Sequence, residues 1–167
     1  MDAKELLRRY AAGERDFAGA KLREVELIHV QIPGINLIGA DLIGADLAGS
    51  NLSSADLSKA NLGGARLRST NLKGANLSEA NLKCTVLEGA GLEDANLTRA
   101  NLIDTNLTHA RLMRAELFKA KVSYVNFTQA NLKDARFFDF MYYGDGCIIV
   151  DHTIMPNGEI EEEYRLL

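Results

Sequence analysis

Large apolar residues return at every fifth position along most of the chain. From Phe17 to Phe137 this phase holds over 25 positions, of which 20 are leucine. A second column, two residues earlier, holds mostly alanine, serine or threonine, as at Ala40, Ala45 and Ala55. Neither the 3.6-residue period of a helix nor the two-residue period of a strand produces this pattern.

The two columns predict short extended segments joined by regular bends. A spacing of two residues directs the small and the large side chain to the same face of an extended segment. The next inward residue follows after three, so the chain bends once in every pentapeptide. A chain that bends repeatedly in the same sense closes into a coil, and coils are stable when stacked on their neighbours. The pattern therefore predicts an all-β parallel β-helix with leucine filling its axis.

The charges indicate how many pentapeptides form one coil. Opposite charges attract when stacked in adjacent strands, and like charges repel. Between Asp16 and Asp139, residues 20 apart form ten opposite-charge and two like-charge pairs. At a separation of 15 residues there are three opposite-charge and six like-charge pairs, and at 25 residues there are five opposite-charge and three like-charge pairs. The charges favour four pentapeptides per coil, about six coils in all, and a rod about 30 Å long.

The repeated motif A-[DN]-L-x-G, as in Ala40-Asp41-Leu42-Ile43-Gly44, resembles the pentapeptide repeat family. The likeness extends over roughly three quarters of the chain. It implies a right-handed quadrilateral β-helix, and it implies no single activity. The tail sequence HTIMPNGEI is similar to the ends of many cyanobacterial members.

The ends of the chain depart from the repeat. Asp2 and Glu5 resemble a capping box at the start of a helix over residues 2–12, which Gly13 would end. Beyond Phe138 the repeat is lost, and two turn signals predict one or two strands and a hairpin over the last coil. The predicted parts are a capping helix, a repeat β-helix and a C-terminal cap, at residues 1–14, 15–139 and 140–167.

Composition limits the class of protein. The net charge of −4 is the sum of +1 over residues 1–15, zero over 16–139 and −5 over 140–167. The chain has no run of 18 apolar residues, so no membrane span is predicted. Its N-terminal stretch lacks the apolar centre of a signal peptide. We expect a cytoplasmic protein that does not enter membranes, with free thiols at its two cysteines.

The sequence predicts no catalytic residue, cofactor or metal site, and hence no enzyme. No G-x-S-x-G or P-loop pattern occurs, and the repeat itself explains the frequent serine and threonine. His29 and His109 share an outward column but lie four coils, about 19 Å, apart. Cys147, Asp151 and His152 are too few for the usual four-ligand zinc site.

Five Asn-x-Ser/Thr sequons have the form of glycosylation sites. The repeat places asparagine before the large residue and serine or threonine after it, so its arithmetic alone produces these sequons. We interpret them as structural; they are Asn51, Asn76, Asn96, Asn106 and Asn126.

Four large apolar residues are predicted to point outward: Ile38, Ile43, Phe118 and Phe138. Such residues mark contact surfaces when they are adjacent. The alternative for Phe118 and Phe138 is that the C-terminal cap covers them. These residues favour a non-catalytic structural or protein-interaction module with an unidentified protein partner, existing as a monomer or weak homodimer. Direct nucleic-acid binding is not expected, because no basic stripe is present.

The family resemblance supplies an alternative function. Some pentapeptide repeat proteins resemble B-form DNA and bind type II topoisomerases such as DNA gyrase. That mimicry requires a strongly acidic rod, whereas residues 16–139 carry no net charge. We expect the basic residues of the rod to face an acid one coil away, in particular Lys59, Arg68, Lys73, Arg99 and Arg114.

Overall fold

A computed structural model of the chain describes residues 1–136, 148–161 and 165–166. Backbone pairing follows the five-residue period: 21 parallel bridges join residues 20 apart, from Asp16–Asn36 to Glu116–Arg136. Four pentapeptides therefore complete one turn of a β-helix solenoid, the all-β fold that the pattern predicted. We name its sides by their first bridge residue, so that sides A, B, C and D begin at Asp16, Lys21, Glu26 and Gln31.

The large column forms the core. Between Phe17 and Leu132 every fifth residue is at most 3% exposed, except the half-buried Val122. Burying one such side chain stabilises the fold by about 1.5–3 kcal/mol. Threonines in the small column are also buried, and the Thr70 hydroxyl donates to the carbonyl of Leu47 at 2.8 Å. The inward polar groups are thus paired within the stack.

Most bends are β-turns with a recurrent set of hydrogen bonds. In one example, the Ala60 N–H donates to the Leu57 carbonyl at 3.0 Å, and Lys59 has a φ of +58°. A positive φ at the third residue is what a type II turn requires. The Asp56 carboxylate accepts the Ser58 N–H at 2.9 Å, which is an Asx turn. The local chemistry thus explains why aspartate or asparagine so often precedes the leucine.

The geometry of the turn leads to a prediction about two adjacent glycines, Gly63 and Gly64. Gly64 has a φ of +66°, and a Cβ there would meet no atom within 4 Å. Gly64→Ala should therefore lower the free energy of unfolding by about 1–2 kcal/mol through backbone strain alone. Gly63 lies outside the left-handed region, and a Cβ there would make only ordinary contacts, the nearest at 3.4 Å. Gly63→Ala should change stability by less than about 1 kcal/mol in urea denaturation; equal losses would contradict the role of φ.

One helix, α1 (Ala3–Ala11), precedes the repeat. The Asp2 carboxylate accepts the Glu5 N–H at 2.8 Å, but the Glu5 carboxylate pairs with Arg8 instead of completing a capping box. The Glu14 and Gly13 N–H groups donate to the Arg9 and Tyr10 carbonyls, a Schellman ending. Among the described residues, no helix has both the length and the hydropathy needed to cross a membrane.

Helix α1 lies over the first coil. Leu6 is fully buried, the Tyr10 hydroxyl donates to the Pro33 carbonyl at 2.7 Å, and the Met1 ammonium donates to the Lys21 carbonyl at 3.1 Å. Those two carbonyls belong to the edge that no preceding coil covers. The helix therefore closes part of an edge that would otherwise pair with another chain.

The repeat resumes after residue 147, contrary to the expectation that it is lost beyond Phe138. Strands β1 (Ile149–Val150) and β2 (Thr153–Ile154) form parallel bridges with the last coil, at a separation of 23 residues instead of 20. Val150 and Thr153 are fully buried, as the large and small columns require. Three extra residues between Arg136 and Ile149 shift the phase, so a search with a constant period misses this segment.

Two further strands cover the resumed repeat. β3 (Ile160–Glu161) pairs antiparallel with β2, and β4 (Arg165–Leu166) pairs antiparallel with β1. These pairings protect the last edge on sides C and D.

Candidate interaction surface

The interior leaves no room for a ligand along the axis. Leucines on all four sides meet there, and those from Leu22 to Leu112 are at most 1% exposed. A site on these described coils therefore lies on their outer sides. There each pentapeptide presents its residue before the leucine and its two turn residues.

The structure brings together two of the four predicted contact residues. Ile38, on side A, is 38% exposed, and the half-buried Ile43 follows it around the corner on side B. Phe118 is 39% exposed in the column of Ile38, but four coils away, about 19 Å. The Lys119 ammonium lies 5.0 Å from the centre of its ring. Phe138 lies outside the described residues.

We define the isoleucine corner as Ile38, Gly39, Ile43 and Gly44. The two glycines are the turn residues that follow the isoleucines, with φ of +62° and +66°. Neither carries a side chain that would shield the adjacent isoleucine. The corner therefore presents two large apolar side chains beside exposed backbone.

Sequence reasoning missed other exposed apolar residues. Ile28 on side C is 44% exposed, and Tyr124 on side B is 58% exposed. Both occupy turn positions of the pentapeptide, so the period alone was sufficient to identify them. Ile160, in β3, is 57% exposed and lies beyond the regular repeat, where the period gives no signal.

The charged columns pair only in part as predicted. Four arginines pair with an acid exactly one coil away within the described repeat: Arg66–Asp46 at 3.7 Å, Arg68–Glu88 at 2.8 Å, Arg114–Asp94 at 2.6 Å and Arg136–Glu116 at 3.4 Å. Lys59, Lys73 and Arg99 also lie one coil from an acid, but none of them has an ion-pair partner within 4.0 Å among the described residues.

For the two lysines the missing pairs have a physical reason, which does not extend to Arg99. Every ion pair of the described coils uses an arginine, whose planar fork binds a carboxylate at two points, whereas the lysine ammonium stays more strongly hydrated. Glu93, the predicted partner of Lys73, is bound instead by Arg111 at 2.6 Å. Lys59, Glu79 and Arg99 consequently leave their charges exposed along one edge of side A.

A groove between sides D and A collects the charges at the C-terminal end of the rod. It is lined by Asp94, Asn96, Arg114, Glu116, Asp134 and Arg136. The Arg114 guanidinium hydrogen-bonds both carboxylate oxygens of Asp94 and holds the pKa of that carboxyl below its usual value. The ion pairs Arg114–Asp94 and Arg136–Glu116 include four of the five charged residues of the groove.

The other candidate groups remain dispersed. His29 and His109 lie on side C four coils apart, as their spacing predicts, and Cys84 is an exposed free cysteine on side B. His152 Nδ1 lies 2.6 Å from a carboxylate oxygen of Asp151, while Cys147 lies outside the described residues. In the part of the chain that the structure describes, no three potential metal ligands cluster.

The five sequon asparagines all have the same structural role. In each case the side-chain oxygen accepts the N–H of the serine or threonine two residues later, at 2.9–3.1 Å. The asparagine and the hydroxyl residue are therefore two parts of one Asx turn, which is a sufficient reason for the sequon pattern.

Solved pentapeptide repeat proteins resemble the chain. HetL from Nostoc sp. strain PCC 7120, described as involved in heterocyst differentiation regulation, is 26% identical; the match covers 96% of this chain and 100% of that chain, with a TM-score of 0.37. The protein alr5209 from Nostoc PCC 7120 is 39% identical over 71% of this chain and 81% of that chain, with a TM-score of 0.34.

A third solved structure is more distant. QnrB1, a plasmid-mediated fluoroquinolone resistance protein, is 16% identical over 81% of this chain and 91% of that chain, with a TM-score of 0.33. The comparison with curated proteins found no match.

The family comparison concerns the repeat itself. The family described as pentapeptide repeats matches in eight copies, over residues 35–74, 60–99 and 95–134. Together these spans include 100 of the 167 residues, from 35 to 134. The chain therefore belongs to the pentapeptide repeat family.

Proposed function

We propose that the protein is a non-catalytic module that binds an unidentified protein partner through the isoleucine corner. The observation that carries this proposal is the position of Ile38 and Ile43, two large apolar side chains on the outside of a rod whose interior is already filled. Removing such side chains from water contributes about 25 cal/mol per Å² of apolar area. At Gly39 no atom lies within 4 Å of where a Cβ would be, so a partner's side chain can approach the backbone closely there.

The proposed module has a rigid framework. We propose a right-handed quadrilateral β-helix of about six coils over residues 15–139, capped by residues 1–14 and 140–167. In this arrangement the corner has a fixed geometry before it binds, so little conformational entropy is lost on association. The proposed setting is the cytoplasm.

Charge favours this role over DNA mimicry. A mimic must present a dense array of negative charge to a surface built for phosphate. Here six arginines of the coils pair with acids, and side A adds the unpaired cations Lys59 and Arg99. Their positive charge opposes binding to a phosphate-binding surface. The same mixture of signs provides no continuous basic stripe for binding nucleic acid directly.

A matched pair of variants tests the isoleucine corner. Ile43→Asp places a charge in the proposed contact, whereas Ile103→Asp changes an equally half-buried isoleucine in the same column of side B, three coils away. For a partner captured by the wild-type protein, Ile43→Asp should raise the Kd more than about tenfold, because it leaves a carboxylate desolvated at the interface. Ile103→Asp should change it less than about threefold.

Two results would contradict the proposal. One is equal binding by both variants, measured by calorimetry on proteins whose circular dichroism and melting match the wild type. The other is inhibition of DNA gyrase supercoiling that persists in Ile43→Asp and after removal of residues 159–167, which would favour the mimic.

A further inference from the structure

Side A differs from the other three sides in its outward midline. The midline is the column of residues that directly follow the large inward residues. On side A it carries no charge in any described coil: Ala18, Ile38, Ser58, Ser78, Thr98 and Phe118. Sides B, C and D each carry at least two charged residues there, among them Arg23, Arg68 and Lys73. Only side A can therefore pack against a flat surface without burying a charge at its centre.

The two edges of side A carry opposite charge. The amino edge precedes the large inward residue and consists, in six coils, of Asp16, Asn36, Asp56, Asn76, Asn96 and Glu116; Arg136, which pairs with Glu116 at 3.4 Å, begins the next coil. The carboxyl edge is the second turn residue and consists of Gly19, Gly39, Lys59, Glu79, Arg99 and Lys119. Over these six coils the first edge has a net charge of −3 and the second a net charge of +2.

Within each coil, the charges on the two edges of side A are compatible. Asp56 shares its coil with Lys59, and Glu116 shares its coil with Lys119, so two coils pair opposite charges. In the other four coils an amide faces a charge or one of the two residues is glycine. In none of the six coils do the two edges carry the same charge. A surface with these edges is complementary to its own image when the amino edge of one copy faces the carboxyl edge of the other.

Symmetry determines the orientation of such a pair. When two copies meet through the same side, a two-fold axis parallel to the rods brings unlike edges together at the same height. A two-fold axis across the rods brings like edges together, so that the carboxylates of the two amino edges oppose each other. The charges therefore select parallel rods.

We propose that two copies of this chain associate side A to side A, with parallel rods around a two-fold axis. The two midlines then lie next to each other, so that Ile38 approaches its own copy near one end and the small residues Ser58, Ser78 and Thr98 allow close approach between the ends. Asp56 meets Lys59 of the other copy, and Glu116 meets Lys119. Each of these contacts occurs twice.

The dimensions predict a reversible dimer. Side A measures about 30 Å by about 13 Å, which is less than the roughly 800 Å² per partner of a standard interface. We expect a Kd of about 10–100 μM, measured by sedimentation equilibrium at low salt. High salt should weaken the dimer, because its paired charges lie at the rim and are screened. A wild-type protein that stays monomeric up to about 1 mM overturns the proposal.

A first pair of variants locates the interface. Ser78→Arg places a large cation at the middle of side A, and Ser53→Arg makes the same change at the equivalent, equally half-buried position of side D. Ser78→Arg should raise the dimer Kd at least about tenfold, because the arginine and its symmetry mate must be desolvated together. Ser53→Arg should leave it within about threefold. Equal effects of the two substitutions overturn the assignment to side A.

A charge exchange tests the orientation with two exposed residues. Glu116 also pairs with Arg136 of its own chain at 3.4 Å, so the melting temperature of each variant is compared with the wild type first. Lys119→Glu and Glu116→Lys should each raise the Kd at least about tenfold, since each places like charges together twice. The double variant should restore the Kd to within about threefold of the wild type. Failure of this rescue, with both single variants folded, overturns the parallel arrangement.

The dimer and the proposed partner contact both use Ile38, so the two associations compete there, but their tests can be separated. Ile43 lies on side B and stays accessible in the dimer, so loss of partner binding in Ile43→Asp with an unchanged dimer Kd separates the two. Conversely, a failed charge exchange leaves the partner test unaffected.

Discussion

Replacing Leu77 by alanine should lower the free energy of unfolding by about 2–5 kcal/mol. Leu77 is fully buried in a middle coil, with coils stacked above and below it. The bridges Asp56–Asn76 and Asn76–Asn96 hold the backbone on both sides, so the neighbouring coils cannot collapse into the cavity. Urea denaturation followed by circular dichroism measures the loss; a change below about 1 kcal/mol would contradict tight packing at this site.

Enlarging a small inward residue tests the packing of the small column beside Leu77. Ala75 is 1% exposed, and Ala75→Leu should overpack the corner and cost about 1–3 kcal/mol. Ser53→Leu adds a similar side chain at an outward position and should cost less than about 0.5 kcal/mol. If both variants melt at the wild-type temperature, the corner has room that the structure does not show.

Removal of residues 1–12 should convert the protein into a concentration-dependent aggregate and lower its melting temperature. The deletion exposes the surface under Leu6 and frees the Pro33 and Lys21 carbonyls, which then offer an unprotected β edge. Light scattering and thermal melts over a range of concentrations measure both effects. Tyr10→Phe, which removes only the hydrogen bond to Pro33, should cost no more than about 1.5 kcal/mol and leave the protein dispersed.

Two features distinguish this association from the side A dimer. Aggregation through the exposed edge should persist in Ser78→Arg, and it should not stop at two copies, because an edge can recruit chains repeatedly. A truncated protein that is as dispersed and as stable as the wild type would show that α1 is not a cap.

The fold was predictable where one rule governs many residues. The five-residue period identified the buried column from Phe17 to Leu132, and the charge spacing identified the 20-residue turn that the bridges show. Both signals are repeated often enough for a single irregular residue, such as Val122, not to obscure them. The same period predicted that Ile38 and Phe118 share one column.

Other features of the structure could not be predicted from the five-residue period of apolar residues. The role of Asp56 in its turn follows from Asx-turn chemistry, which a hydrophobic pattern does not record. Val150 and Thr153 were missed because three extra residues shift the phase before them. Lys59 lies one coil from Glu79 without forming an ion pair, because a 20-residue separation brings backbones together, while an ion pair depends on the hydration of the side chain.

The ladder of backbone hydrogen bonds has a consequence for how the molecule opens. Every described bridge of the repeat joins adjacent coils, so each coil is held only by the one before it and the one after it. A coil in the middle must break two such interfaces to leave the stack, whereas a coil at an end must break one. Opening therefore proceeds inward from the ends, and amide protons of the central coils, such as those of Leu72 and Leu77, exchange with solvent last.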